Sequence, residues 1–140
     1  MSNQDCIFCK IVAGEIPCFK IYETDRLLSF LDIGPVHKGH ALVIPKEHYR
    51  DIWDLPADLG SEIITATKIA GDAIVKATGA DGLNLIMNNN EAAGQLVFHA
   101  HMHMIPRFRE DGLRHWDQSS YESMDEAQDL ALKIEKMIKR

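Results

Sequence analysis

The stretch from Val97 to Arg107, VFHAHMHMIPR, places histidine at every second position: His99, His101 and His103. In an extended strand successive side chains point to opposite faces, and residues two apart lie roughly 6–7 Å from each other on one face. The alternation therefore predicts a strand with a row of three imidazoles on one face, headed by Val97. Phe98, Ala100, Met102 and Met104 form the other face and read as core. Pro106 has no N–H to give to a ladder and is expected to stop the strand. A single histidine is commonly structural, but three in register point to a functional cluster, because polarity alone does not require one residue type. Imidazole serves as a metal ligand or as a nucleophile or general base, and the row by itself leaves both open.

Working outward, FKIYE, LLSFLD and HALVIP are short apolar runs separated by TDR and IGPVHKG, the pattern of an antiparallel meander. A short helical turn, CIFCKIVAG, precedes them. From Ala57 to Thr78, Leu59, Ile63, Ala66, Ala70 and Ile74 recur at helical spacing and Gly79 supplies a stop, which predicts the main helix. LNLIM and VFHAHMHMI read as two further strands. Near the end, Ser123 and Glu126 fit a capping box before an apolar stripe of Ala127, Leu130, Ala131, Ile134, Met137 and Ile138. Lys136, Lys139 and Arg140 suit the negative end of that closing helix. Strands first, one long helix between strands and a final helix predict an α+β domain on an antiparallel sheet of about five strands.

With 140 residues the chain has the size of one domain, 1–140, with its motifs at 6–107 and an extension with a helix at 108–140. Hydrophobic residues at 46% and charged residues at 26% are ordinary for a globular fold. A formal net charge of −6 and the lack of a basic stripe argue against a nucleic-acid partner, while backbone amides could still hold a mononucleotide phosphate. No apolar run nears the roughly 20 residues that span a bilayer, and MSNQDCIFCK lacks the basic start and apolar middle of a secretory signal, so no membrane role and a cytoplasmic location are expected. Three cysteines, an odd count, suit a reducing compartment better than a disulfide framework.

Cys6 and Cys9 are spaced so that a helical turn brings both sulfurs to one side, as in tetrahedral zinc sites. On the residues alone, zinc, redox work and chance all remain open for CIFC, although a redox pair is expected in a βαβ setting that this opening does not show. Zinc would need two further ligands, available from His48 or from the row. Cys18 reads as a small half-buried hydrophobe, Trp53 and Trp116 as packing residues, and His37 and His115 carry no assigned role.

HAHMHMI resembles the motif that names the histidine-triad (HIT) superfamily, and CIFCKIVAGEIP, LLSFLDIGPVHKGHALVIPKEH and NNNEAAGQLVFHAHMHMIPR resemble, in order, the blocks of its Hint-like branch. The resemblance implies the HIT fold and a nucleotide hydrolase or transferase, usually homodimeric, acting on a purine nucleoside monophosphate joined to a leaving group, often through a P–N bond. By position, it implies His101 as the nucleophile that becomes nucleotidylated, with His103 and His40 as supporting histidines. It further implies Asp32 and Ile33 for ribose and base, and Asn88, Gly94 and Gln95 for the phosphate-side loop. Some bacterial Hint-like members hold a structural zinc through a CxxC pair and two histidines, and the matching set is Cys6, Cys9, His48 and His99. That split sends His99 to the metal and His101 to the substrate. Many Hint-like members carry Ser or Thr between the residues matching Gln95 and Val97, close to the leaving group; this chain has Leu96. Two other readings compete: a nucleotide-binding regulatory protein with vestigial catalysis, and a zinc hydrolase that uses all three histidines of the row as its metal site.

Overall fold

The structure is a computed structural model that describes residues 3–138. Helix α1 (Ile7–Val12) leads into strands β1 (Lys20–Glu23), β2 (Leu27–Leu31) and β3 (Ala41–Pro45). A 3₁₀ turn (Ala57–Leu59) opens helix α2 (Gly60–Thr78), followed by β4 (Gly82–Ile86), a second 3₁₀ turn (Glu91–Ala93), β5 (Met102–Arg107) and helix α3 (Met124–Met137). The five strands form one sheet in the order β1-β2-β3-β5-β4, with every neighbouring pair antiparallel. The expected α+β architecture is the one observed.

Both faces of the central strands are covered, which explains why LLSFL and ALVIP read as continuous apolar runs instead of alternating ones. On one face Leu27, Ala41, Val43 and Met104 pack against Leu59, Ile63, Ala66, Ala70 and Ile74 of the long helix. On the other, Leu28, Phe30, Leu42 and Ile44 pack against Cys6, Phe8 and Cys9 around α1. The long helix lies close to its face: a Cβ on Gly71 would lie 2.7 Å from Leu83 Cδ2, so a larger residue mid-helix there would have to displace the Leu83 side chain. Gly79 ends α2 in the left-handed region at φ 70, its N–H bonded to Val75 O at 2.9 Å.

Three expectations need correction. The histidine strand begins only at Met102, so Val97 to His101 approach the sheet in irregular backbone, tied down where the Ala100 N–H donates to Tyr49 O at 2.7 Å. Side chains of both parities are buried along this approach, His99, Ala100 and His101 alike, and period-2 alternation does not apply to it. Pro106 does not stop β5: it is fully buried within a strand that runs to Arg107. The Asp81 N–H donates to Arg107 O, so the backbone of Arg107 faces β4 and that of its neighbour Pro106 faces the β3 side. There β3 pairing has already ended at Ala41–Met104, and no ladder bond is lost for want of the proline N–H. Finally, Trp53 and Trp116 are not core packing residues; they stand 75% and 79% exposed, on a turn and on the irregular segment after β5.

Ser123 caps α3 as expected, its Oγ accepting the Glu126 N–H at 3.1 Å. The apolar stripe of α3 exists but buries none of its residues within the chain, and Leu130, Ile134 and Met137 remain exposed.

Candidate active site and metal centre

The register of the sheet decides where the chemistry sits. His103 lies opposite Leu42, which belongs to the α1 face, whereas Met102 and Met104 lie opposite Val43 and Ala41 on the α2 face. The last histidine of the motif therefore emerges under α1. His101 joins it, with ring centroids 4.9 Å apart, while His99 turns away toward His48, centroids 5.0 Å apart.

This parting produces two clusters. In the first, ligand atoms of Cys6, Cys9, His48 and His99 all lie within 4.8 Å of one another. Cys6 caps α1 and its Sγ accepts the Cys9 N–H, so the helical turn itself brings the two sulfurs together. The contacts are 3.4 Å from Cys6 Sγ to His99 Nδ1, 3.4 Å from Cys9 Sγ to His48 Nδ1 and 3.6 Å from Cys9 Sγ to His99 Nδ1. A tetrahedral ion with metal–sulfur and metal–nitrogen bonds of about 2.3 and 2.05 Å would place sulfur and nitrogen about 3.5 Å apart, which these three contacts match. His99 Nε2–H donates to Pro45 O at 2.8 Å, leaving the Nδ1 lone pair aimed at the sulfurs and supplying the outer partner that metal-bound histidines use. Burial pushes His99 down to about 4 and raises the Cys9 thiol, the latter helped by its Cys6 neighbour.

The second cluster holds His40, His101, His103 and Asp32, and its protons can be placed one after another. The Val36 N–H donates to His40 Nδ1 at 3.1 Å, so the His40 proton is on Nε2. That Nε2–H points at His103 Nδ1, 2.9 Å away, and at Asp32 Oδ2, 3.6 Å away. His103 then carries its proton on Nε2, where it is free to donate. His101 Nδ1 lies 2.7 Å from His99 O, an acceptor only, so His101 Nδ1 is protonated and Nε2 holds a free lone pair. Asp32, His40 and His103 also lie close enough together to hold an ion. The Val36 bond opposes one, because it requires the proton on the His40 nitrogen that a metal would need. Among the described residues the row divides between two donor groups, His99 with Cys6, Cys9 and His48, and His103 with Asp32 and His40.

Both rings line a pocket of about 310 Å³ under α1. Ile7, Phe8, Ile11, Ile16, Phe30 and Leu42 form its apolar wall, and Asp32, Asn88, His101 and His103 its polar end. Ile33 stands exposed at the rim and Asp32 Oδ1 accepts the Gly34 N–H at 2.8 Å. Gly94, at φ 96, lines the pocket beside Asn88, whose Nδ2 donates to Gly94 O. Gln95 is placed differently: its side chain is buried and does not line the pocket. Its Oε1 accepts the Asn90 N–H at 2.8 Å, and its Nε2 donates to Arg50 O at 2.7 Å and Val97 O at 3.2 Å. Leu96 is 86% exposed at the pocket mouth. Sequence reasoning overlooked Phe8, whose ring meets His101 edge-on at 5.0 Å, and the backbone groups of Val36, Pro45 and His99 that fix the imidazoles. The apolar spacing of Ile7, Phe8 and Ile11 beside the cysteines was the available signal for the wall.

The fold and these histidines define a histidine-triad domain. The chain belongs to this family: the family model described as HIT domain matches residues 13–110. Among curated proteins it is similar to adenylylsulfatase HINT3 of Arabidopsis thaliana, with 48% identity over 111 residues. That alignment takes in 79% of this chain and 56% of that protein, so the chain spans little more than half of this relative. It is also similar to adenosine 5'-monophosphoramidase hnt1 of Schizosaccharomyces pombe, 45% identical over 108 residues, 77% of this chain and 78% of that one. Of the solved structures, SMU.412c from Streptococcus mutans UA159 superposes with a TM-score of 0.92 at 45% identity, covering 99% of this chain and 88% of that one. A zinc-bound histidine triad family protein from Mycobacterium smegmatis superposes with a TM-score of 0.74 at 35% identity, covering 95% and 97%.

Burial lowers the proton affinity of His40, His101 and His103, the last to about 4. Folded chains thus resist protonation that unfolded chains accept near pH 6.5, and the stability these groups contribute is present above that pH and is lost as pH falls toward 4. Thermal unfolding of chelator-treated protein should show a lower Tm at pH 5 than at pH 7.5, with a slope of about 1.4 kcal/mol per pH unit for each proton taken up. An equal Tm at both pH values would contradict the neutral, buried triad.

Proposed function

We propose that the protein is a nucleotide hydrolase or transferase that cleaves a purine nucleoside monophosphate from a leaving group, a phosphoramidate or a related phosphoester or anhydride, through a nucleotidyl-His101 intermediate. The observation that carries the reading is the free Nε2 of His101, neutral, fixed through Nδ1 and lining a ligand-sized pocket. The names of two relatives, an adenosine 5'-monophosphoramidase and an adenylylsulfatase, support the substrate class. The base would lie against the apolar wall, Asp32 and Ile33 would meet the ribose, and Asn88, Gly94 and the Gln95 backbone would stand on the phosphate side.

In this mechanism Nε2 of His101 attacks phosphorus and a P–N(His) bond forms as the bond to the leaving group breaks. The leaving atom keeps the bonding electrons and takes up a proton. His103, whose Nδ1 accepts from His40 Nε2–H, would offer its Nε2–H to the charge that spreads over the phosphoryl oxygens, and His40 would hold it in that tautomer. Water then attacks phosphorus as the P–N(His) bond breaks and its electrons return to His101 Nε2; the nucleoside monophosphate leaves, and the proton that the water gives up balances the one taken by the leaving atom.

For the first cluster we propose zinc, held by Cys6, Cys9, His48 and His99, a reading supported by the thiolate–imidazole donor set and by the zinc-bound neighbour. Such an ion would fasten α1, and with it the apolar wall, to the histidine segment without entering the reaction. Three free cysteines fit a reducing cytoplasm. The uncovered apolar stripe of α3 fits a homodimer.

Four outcomes test these assignments. His101→Asn should abolish turnover of an adenosine phosphoramidate while AMP binding stays within about threefold, and acid-quenched wild type should carry an adenylyl adduct that the variant lacks; near-normal turnover in the variant rejects the mechanism. Purified protein should hold one zinc per chain, and Cys9→Ser should lose it together with at least about 2 kcal/mol of stability, read by thermal melts; full stability without metal rejects the structural role. Light scattering of the intact chain should give twice the chain mass. Leu96→Ser should raise turnover of amine-leaving substrates by up to about 10²-fold over acidic phenol-leaving ones, because a hydroxyl can pass a proton that an isobutyl group cannot; an unchanged ratio assigns the proton to another donor.

A further inference from the structure

We infer that His37, anchored on Asp111, is a positioning residue that holds the segment between β2 and β3 so that the Val36 amide keeps the His40–His103 pair in one tautomer. The inference rests on His40 and Asp32 serving the nucleotide as proposed above. That segment, residues 32–40, carries Asp32 and Ile33 at one end and His40 at the other. Its ends are secured by the sheet and by the Asp32 N–H donating to His40 O at 2.9 Å, while its middle lies between strands in turn and loop backbone.

Asp111 supplies the anchor. His37 Nε2 lies 3.1 Å from Asp111 Oδ2, with the two side chains 24% and 6% exposed. The same carboxylate accepts from Arg107 Nε at 2.8 Å and Nη2 at 3.1 Å, and from the Phe108 and Leu113 N–H groups at 3.1 and 3.0 Å. The Arg107 guanidinium beside it holds the Asp111 carboxyl well below the usual carboxylate range. Arg107 ends β5, the strand that carries His103, so the anchor and His103 share one rigid frame. The His37 ring also meets Phe108 edge-on at 5.4 Å.

The consequence lies in the backbone on either side of His37. The His40 N–H closes a turn onto His37 O at 3.0 Å, and Val36, one residue earlier, donates its N–H to His40 Nδ1. Gly39 makes the turn possible at φ +102, pressed against α2 so that a Cβ would lie 2.6 Å from Thr78 Cγ2. With His37 released, the Val36 amide loses its fixed place, and only the Asp32 carboxylate, 3.6 Å from Nε2, then favours the His40 proton on that nitrogen. His103 Nδ1 would lose its donor, and its own proton would no longer be committed to Nε2, the nitrogen facing the substrate. Displacements of this kind away from the reacting atoms cost one to two orders of magnitude in rate.

The test compares His37→Ala and His37→Gln with wild type, since a glutamine N–H can still donate to Asp111. ¹⁵N NMR of His40 at pH 7.5 should show the Nε2–H tautomer in wild type and His37→Gln and a mixture in His37→Ala. In parallel, kcat/KM for adenosine phosphoramidate should fall about tenfold in His37→Ala and return to within about threefold in His37→Gln. A His37→Ala protein with an unchanged His40 tautomer overturns the inference, even if its Tm falls, because a structural tie alone moves stability and not the tautomer. Equal loss of kcat/KM in both variants overturns it as well. Should wild type prove inactive on phosphoramidates, the proposed function fails while the NMR comparison still decides the role of His37.

Discussion

Three residue pairs, Ala41–Met104, Leu42–His103 and Val43–Met102, join β3 to β5, and the side of the sheet on which His103 emerges depends on that register. A slip of one residue would turn His103 toward α2 and bring Met102 and Met104 under α1, exchanging a polar cluster with part of the core. The slip is opposed from both sides, because Met104 and Ala41 are wholly buried against the long helix while Leu42 and Ile44 are buried against the α1 region. Packing on two faces thus fixes a register that no polar interaction in the site could hold by itself.

The first half of the histidine motif obeys a different constraint. Val97 to His101 have no ladder partner, so their conformation is set by single bonds: Ala100 N–H to Tyr49 O, His99 Nε2–H to Pro45 O and His101 Nδ1–H to His99 O. Gln95 adds two more, joining the segment to the backbone after His48. Each bond ends on a backbone carbonyl, an acceptor that does not titrate. Carbonyls fix which imidazole nitrogen carries the proton without bringing in a charge that would raise the histidines' proton affinity.

The sequence made the sheet and the long helix legible, each from a periodic or spaced pattern, whereas the parting of His99 from His101 and His103 was implied by the family resemblance alone. Leu59, Ile63, Ala66, Ala70 and Ile74 announced α2 because burial on one helix face demands that spacing. Alternation misled at Val97 to His101, since irregular backbone can bury residues of both parities when each polar ring finds its own acceptor. Pro106 misled because a missing N–H matters only where a partner strand is present to receive it. Asp111 and His37 left no trace, for a contact between residues so far apart in sequence has no periodic signature. Gln95 showed only its proximity to the phosphate loop, whereas its role depends on which way the amide faces.

The two clusters use one residue type for opposite ends, and the backbone is what separates the uses. His99 gives its Nε2 proton to a carbonyl and turns its Nδ1 lone pair toward two sulfurs; His101 gives its Nδ1 proton to a carbonyl and keeps its Nε2 lone pair for the pocket. Phe8 stands edge-on between them, 5.8 Å from the first ring and 5.0 Å from the second, on the same short helix that carries Cys9 and lines the pocket through Ile7 and Ile11. Anything that loosens the sulfur–imidazole cluster therefore reaches the pocket wall first and the His101 ring second, through packing and not through charge. A divalent ion held there would have its charge balanced by two thiolates, so a neutral His101 would be compatible with a metal this close to it.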